Sequence, residues 1–541
     1  MNVTRRGFVS GAALASLALA GCSSAPKEGG SAAGGASSVD AKHTVTVAMN
    51  AGSEPAAGFD PLVAWGCGEH VHEPLIQSTL ITTNDKLEFE NDLATSYMCS
   101  TDGLTWTFEI RDDVVFSDGE PLTARDVAFT VNSIIKSDSS EADLSMVDEA
   151  VATSDTVVEF HLNKPYNALL YTLAVLGIVP EHAYGKNYGK QPIGSGRYLL
   201  ESWDHGQQAI FVANPKYYGD KPNIERLVVV FMEEDAALAA VQKGDVDIAF
   251  TSATHSDQSF NGYELVNYTT VDSRGISLPT IPSGSTKQDG DNTYKAGNDV
   301  TCDIAIRRAI NKGVDRDRMI KHVLNGYGHK AYSVGDGMPW SSEDMKVDYD
   351  LKAAKALLDE AGWKPNSKGI RELDGKKAEF ELWYASDDSV RQAIANDFAS
   401  QMEELGIKVD VKGGSWDQIY PKEFSQPILW GWGSNAPTET YELTYSSGWG
   451  NYACYDNSVI DSYLDQALAQ SSVEDSYEFW KKAQWDGTDG VAPQGAATWC
   501  WLANVDHLYF KRDGLKVAKQ KPHPHGHGWS LVNNVDRWSW E

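Results

Sequence analysis

Beyond its first two dozen positions, the chain of 541 residues has no long uncharged apolar run, so nothing after the leader reads as a membrane span. Positive charge is scarce as well. Lys and Arg number 46 against 76 Asp and Glu, a formal net charge of -30. A surface this acidic repels phosphate backbones, and nucleic acid is not an expected partner. The charge serves solubility and does not by itself select a ligand. Cysteine is rare, with six in the whole chain. Setting Cys22 aside leaves Cys67, Cys99, Cys302, Cys454 and Cys500, an odd number at wide spacing. That pattern argues against a disulfide framework, although one bridge stays open. Signatures of catalysis are missing too. There is no Gly-x-Ser-x-Gly elbow and no phosphate-binding Gly-x4-Gly-Lys-Ser/Thr loop. No enzyme activity and no cofactor are expected.

What is present begins at the N-terminus. Thr4-Arg5-Arg6-Gly7-Phe8-Val9 reads as a twin-arginine n-region, and the short Ala, Leu, Ser and Gly run that follows as a signal h-region. Leu19-Ala20-Gly21-Cys22 resembles a bacterial lipobox, which implies cleavage before Cys22 and acylation there. Residues 1–21 are therefore a signal peptide, read either by a twin-arginine or by a general secretion route. Residues 22–42, rich in Ser, Gly and Ala, cannot bury a core and form a flexible tether. The expected address is the outer face of the cytoplasmic membrane, held there by lipid.

The remaining 500 or so residues exceed the roughly 300 at which one core stops growing, so at least two lobes are expected. Strand and helix patterns alternate. His43–Met49, Thr105–Ile110 and Val157–Leu162 alternate polar and apolar residues as half-buried strands do. Thr123-Ala-Arg-Asp126 is a capping box opening a helix. Arg226–Phe231, a helix stopped at Gly244, and Val246–Phe250 form a strand–helix–strand unit. Ser389–Leu405, Ser458–Gln470 and Val473–Gln484 read as helices. Residues 281–299 are polar, Gly-rich and aperiodic, which predicts a long surface loop.

Five stretches, in order, carry a family likeness. They are Val115-Phe-Ser-Asp-Gly-Glu-Pro-Leu-Thr-Ala-Arg-Asp-Val127; Ile193-Gly-Ser-Gly-Arg-Tyr198 with Asn214-Pro-Lys-Tyr-Tyr218; Ala240-Val-Gln-Lys-Gly-Asp-Val-Asp-Ile-Ala249; Ile306–Ile310 running into Val314-Asp-Arg316; and Tyr349–Trp363. Together they resemble the family 5 solute-binding proteins of ABC importers, the dipeptide, oligopeptide and nickel binders. The resemblance implies a two-lobed, type II periplasmic-binding-protein-like α/β fold with mixed sheets and a hinge. Lobe 1 would comprise 43–270, with an extra subdomain inserted at about 81–189, and would regain the chain at 504–541. Lobe 2 would be 271–503, with hinge crossings near 271–278 and 501–509. The implied function is capture of a small solute, a short peptide first of all, between the lobes. Delivery would be to a permease with its ATPase subunits, by a monomeric binding protein. The alternative is nickel, another transition metal or a metal chelate.

Candidate ligand contacts centre on Trp430-Gly-Trp432-Gly-Ser434-Asn435 and Glu439. Two tryptophans two apart share a face of a strand, and the glycines between allow close approach. The alternative is that both are core aromatics. In the family, an Asp three residues after the Trp pairs with a peptide's amino terminus. Here Asn435 stands there and cannot neutralise an ammonium, while Glu439 offers a carboxylate nearby if the loop is shifted. Trp383, Tyr384, Trp416, Ser53, Glu54 and Trp65 are further cleft candidates. Arg274 suits either a ligand carboxylate or a structural ion pair. Two clusters hint at metal: Cys67, His70 and His72, and His523, His525 and His527. Loop and turn roles suit these histidines equally.

Overall fold

The computed structural model describes residues 41–64, 66–67, 70–137, 140, 142–289, 292–524 and 528–541. The leader, the tether, Trp65, His525 and His527 lie outside them. No helix among the described residues is long and apolar enough to cross a membrane.

Two mixed sheets organise the chain. The first contains β1 (Thr44–Asn50), β2 (Tyr198–Asp204), β3 (Gln208–Ala213), β4 (Arg226–Met232), β5 (Ile248–Thr251) and β6 (Tyr263–Tyr268). The second contains β7 (Ser273–Ser277), β8 (Gly328–Lys330), β9 (Glu379–Ala385), β10 (Lys408–Gly414), β11 (Ile428–Trp432) and β12 (Trp499–Val505). The last long strand, β13 (His507–Arg512), returns to the first sheet. Strand order is β2-β3-β4-β1-β5-β13-β6 in one sheet and β8-β12-β7-β11-β9-β10 in the other.

Local sequence explains the central strands. β1 runs parallel to β4, pairing Val45 with Leu227 and Val47 with Val229, all fully buried. Between them in sequence, β2 and β3 pair antiparallel and β3 lies along β4. The helix Glu234–Lys243 leads from β4 to β5 and ends at Gly244, whose φ of 78° is the left-handed cap a Cβ would disfavour. The resulting parallel β1–β5 pairing is the crossover unit expected from its pattern. In the second sheet β9 is parallel to β10, linked by the helix Ser389–Leu405 with Asp388 as its N-cap. That sheet packs Ile276, Leu382, Ile394, Phe398 and Leu502 into one core.

The chain passes between the sheets twice, through residues 269–272 and through Asp506. The two crossings are bonded to each other. Val505 N–H donates to the Asp272 carbonyl at 2.9 Å, and the Thr270 hydroxyl donates to the Val505 carbonyl at 2.7 Å.

A four-stranded antiparallel sheet lies within residues 94–162, covered by the helix Ala124–Ile135. Thr123 and Asp126 cap that helix reciprocally. Phe108, Phe116, Val127, Val131 and Phe160 fill its core. The same apolar cluster takes in Leu464 and Leu468 of the helix Ser458–Leu468 and Trp480 of the helix Val473–Gln484. Parts of the chain that are far apart in sequence thus share one core.

The loop expected at 281–299 is instead a hairpin. Ser285–Asp289 pairs antiparallel with Asn292–Ala296. Its aperiodic, polar sequence conceals two anchors. Tyr294 packs edge-on to Phe424 at 5.5 Å, and the Lys287 ammonium lies 4.4 Å from the same ring. At its base Gly297, with φ 88°, allows an approach that a Cβ would block, 2.0 Å from the Pro282 carbonyl oxygen.

Candidate functional site

The strand β11 carries Trp430 and Trp432 to the point where the chain crosses between sheets, because Trp432 pairs with Ser273. Their fates differ. Trp430 stacks on Tyr452 at 4.2 Å and on Trp416 at 5.7 Å, and its indole N–H donates to the Ser277 hydroxyl at 3.0 Å. It is a core residue. Trp432 is 7% exposed, its Nε1 has no hydrogen-bond partner, and its ring lies 5.6 Å from that of the partly exposed Trp449. Sequence reasoning missed Trp449, since an isolated Trp in a Gly-rich loop carries no periodic signal.

The two glycines of this strand make room for protein. A Cβ on Gly431 would lie 2.3 Å from Arg391 Nη2 and 2.8 Å from Arg274 Nη1. One on Gly433 would lie 2.3 Å from the Val271 carbonyl oxygen at the crossing. Two buried guanidiniums therefore meet over Gly431. Arg274 donates to both oxygens of Asp272, which also faces His507 Nε2 at 3.1 Å. Arg391 opens the helix Ser389–Leu405, lies 5.5 Å from the Trp416 ring and forms an ion pair with Asp388 at 3.6 Å. The Nε atoms of both arginines lack hydrogen-bond partners. Neither Arg391 nor Asp388 was legible as a site residue. In sequence they are an ordinary helix cap and first turn.

After β11 the chain turns through Ser434, whose hydroxyl caps Ala436 N–H at 3.1 Å. Asn435 Oδ1 is buried without a partner. The helix Thr438–Thr444 follows and carries Glu439. That side chain is partly buried, and its shielded Oε2 has no hydrogen-bond partner. Burial, and then the neighbouring charge of Asp272, push its carboxyl up to about 8, against the facing Gly433 N–H, which favours ionisation. One turn along, burial and Asp143 push Glu442 up to about 7.

Other candidates have local duties. Trp383 donates to Glu381 at 2.9 Å under the Lys422 ammonium, and Tyr384 is buried in the core on the opposite face of β9. Trp416 stacks on Tyr420. The Ser53 carbonyl accepts from the Trp529 indole at 2.6 Å. Glu54 accepts from the Trp203 indole and Gly206 N–H, tying the β2–β3 hairpin.

Of the histidines, His523 is fully buried beside His507, at 3.3 Å between Nδ1 atoms, and Gln520. Burial, then His507 and His72, lower its pKa well below the usual imidazole range. Residues Cys67 and His70 sit in a short two-stranded ribbon. Among the described residues no group of three or more His, Cys, Asp or Glu is placed to hold a metal ion. Elsewhere, a polar cavity of about 530 Å3 is lined by Glu73, Asp92, Arg197 and Lys521. Within it Arg197 pairs with Asp536 and Lys521 with Glu73.

Residues 88–453 match the model of the bacterial extracellular solute-binding proteins, family 5. The chain belongs to that family. This solute-binding protein is 34% identical over 493 residues to Protein XP55 of Streptomyces lividans, covering 86% of this chain and 85% of that one. It is 28% identical to the oligopeptide-binding protein AppA of Bacillus subtilis, over 76% and 78% of the two chains. Among solved structures, NikZ from Campylobacter jejuni in complex with Ni(L-His) superposes with a TM-score of 0.75 at 25% identity, over 92% of this chain and 99% of that one. AppA of Bacillus subtilis in complex with a nonapeptide gives 0.70 at 23% identity, over 92% and 99%. The fold is thus the two-lobed, type II binding-protein architecture. Proteins of this family act outside the cytoplasm as the solute-binding components of ABC importers.

Proposed function

We propose that this solute-binding protein captures a short peptide between two lobes and hands it to the permease of an ABC importer. The lobes are 43–270 with 504–541, and 271–503, with 81–189 inserted in the first. They close about the crossings at 269–272 and Asp506. One observation carries the reading. Around the end of β11, acceptors without a hydrogen-bond partner (Asn435 Oδ1, Glu439 Oε2) stand with donors in the same condition on Trp432 and Arg274. A zwitterion with amide groups between its charges satisfies both sets, and Trp432 with Trp449 offers it an apolar wall. The oligopeptide and D,D-dipeptide binders among the relatives support this class. The nickel-binding relative supports the metal alternative. That alternative has less behind it, because His72, His507 and His523 fall short of a donor set.

Closure would present a surface made from both lobes, and that composite surface is what a permease can read. We further propose that Cys22 carries lipid and that the monomer works tethered to the outer face of the cytoplasmic membrane. The test is a thermal-shift screen, since a ligand that binds only the folded state raises the midpoint. Di- to pentapeptides should stabilise the protein and Ni²⁺ should not. Stabilisation by Ni²⁺ that is lost in His523→Ala would overturn the peptide reading.

A further inference from the structure

The polar cavity of about 530 Å3 takes no part in the reading above, and none of its lining residues is among the groups at the end of β11. Its walls come from the strand pair Ile81–Thr83 and Phe89–Asn91, the residues that lead into β2, the segment of Lys519 and Lys521, and the 3-10 helix Trp529–Arg537. Its volume is that of a small-molecule site, about 300–1,000 Å3. Apart from Pro74, Gly196 and Tyr217, every lining residue is polar or charged, and acids and bases are equal in number. The acids are all engaged. Glu73 pairs with Lys521, Asp85 with Lys519 and Asp536 with Arg197. Asp92 accepts from the Tyr218 phenol and from Thr79 N–H at 3.2 Å, and Glu90 from the Asn84 amide at 3.1 Å. Second bonds hold two of the cations in place. Arg197 donates to the Asn533 carbonyl at 2.8 Å, and Lys521, its side chain 8% exposed, donates to the Thr83 hydroxyl at 2.8 Å.

This balance of charge restricts what the cavity can hold. A cation meets acids that already have partners, and displacing Lys521 or Arg197 from a largely buried pair is costly. An anion gains only the exposed Lys86 and Arg537, whose charges water and salt screen. An apolar molecule strips water from charged groups and returns no hydrogen bonds. A neutral molecule rich in hydroxyls avoids all three penalties. Each hydroxyl donates and accepts, so one group can bond to an acid and its neighbour to the paired base without separating them. Tyr217, half-buried in the wall, adds one aromatic ring for the C–H face of such a molecule. We propose that this cavity is a second binding site, and that it takes a neutral saccharide of one or two rings. The proposal is independent of the peptide reading, since the two sites share no residue.

Saturation-transfer NMR and calorimetry on the intact protein test it with glucose, N-acetylglucosamine, maltose and trehalose. At least one should bind with a Kd below about 1 mM. Thr82→Trp puts an indole into the cavity from the strand Ile81–Thr83 and should weaken that saccharide at least about tenfold. Its circular dichroism, and its response to trialanine, should match wild type. Arg537→Ala, at an exposed position, removes a lining donor without filling space and should weaken the same saccharide about fivefold. It keeps the test open where Thr82→Trp fails to fold. Failure of all four saccharides to bind at about 10 mM overturns the proposal. Equal binding by wild type and both variants overturns it as well, because contact is then elsewhere on the surface. Displacement of the saccharide by equimolar sodium phosphate or glycine betaine makes this an ion or zwitterion site and overturns the neutral class. None of these results bears on trialanine, whose failure to bind would sink the peptide reading alone.

Discussion

The side-chain amide of Asn167 donates to the carbonyl oxygen of Ala467 at 2.9 Å, joining residues 300 positions apart. The same nitrogen reaches the carbonyls of Gln470 at 3.3 Å and Ser472 at 3.2 Å, while Asn167 N–H donates to Leu468. One residue of the inserted segment thus caps the end of the helix Ser458–Leu468, whose last carbonyls have no partner within the helix. The bond joins the inserted segment to a helix that shares its apolar core.

Asn167→Ala should therefore weaken the packing of the inserted segment on that helix. Removing a buried donor to several carbonyls costs about 1–3 kcal/mol. Small-angle scattering should report a larger radius for the ligand-free variant, and ligand affinity should fall by the same energy. An unchanged radius and affinity would mean that the cap is structural only.

The contribution of Glu439 to stability should fall as pH rises from about 5 to 8. Glu439 ionises near 4.5 when unfolded and near about 8 when folded. In that window the folded chain holds the extra proton, and each pH unit removes about 1.4 kcal/mol of stability. Below 4.5 both states are protonated and the effect vanishes. Glu442 acts in the same direction up to about 7. Denaturant unfolding at pH 5, 6, 7 and 8 checks this. Glu439→Gln should flatten part of the slope and be more stable than wild type at pH 8.

Replacing Gly431 by Ala should displace the guanidiniums of Arg391 and Arg274, which a Cβ would approach to 2.3 and 2.8 Å. A stability loss of about 1–3 kcal/mol is expected from overpacking, together with weaker binding of ligands that carry a carboxylate. Amidation of the ligand should abolish the difference in binding between wild type and variant.

The paired tryptophans should separate cleanly when each is changed to Phe. Trp430→Phe breaks a buried bond to Ser277 and should cost about 1–2 kcal/mol of stability with ligand affinity retained. Trp432→Phe removes an N–H that bonds to nothing in the protein. Its stability should change little and its affinity should drop. The reverse result would exchange their roles.

Helix ends and strand alternation were readable without coordinates because they are local. Ser389–Leu405 begins after the Asp388 cap and ends at Gly406 with φ 78°, as its composition demanded. The hairpin Ser285–Ala296 was not readable, because its support comes from Phe424, over a hundred residues away.

The order of residues alone settled the class of the protein. A leader with a Cys after small residues, the alternating elements, and the Trp-Gly-Trp stretch with Asn435 and Glu439 are all visible in one dimension. Which of those groups pack against the protein itself was decided only by tertiary packing. Trp430 turned into the core and Glu54 toward Trp203, while Arg391 came to stand over Gly431. Burial and missing partners, the properties that shift a carboxyl and leave a donor unsatisfied, are sums over neighbours brought from distant parts of the chain. No local pattern of residues encodes them.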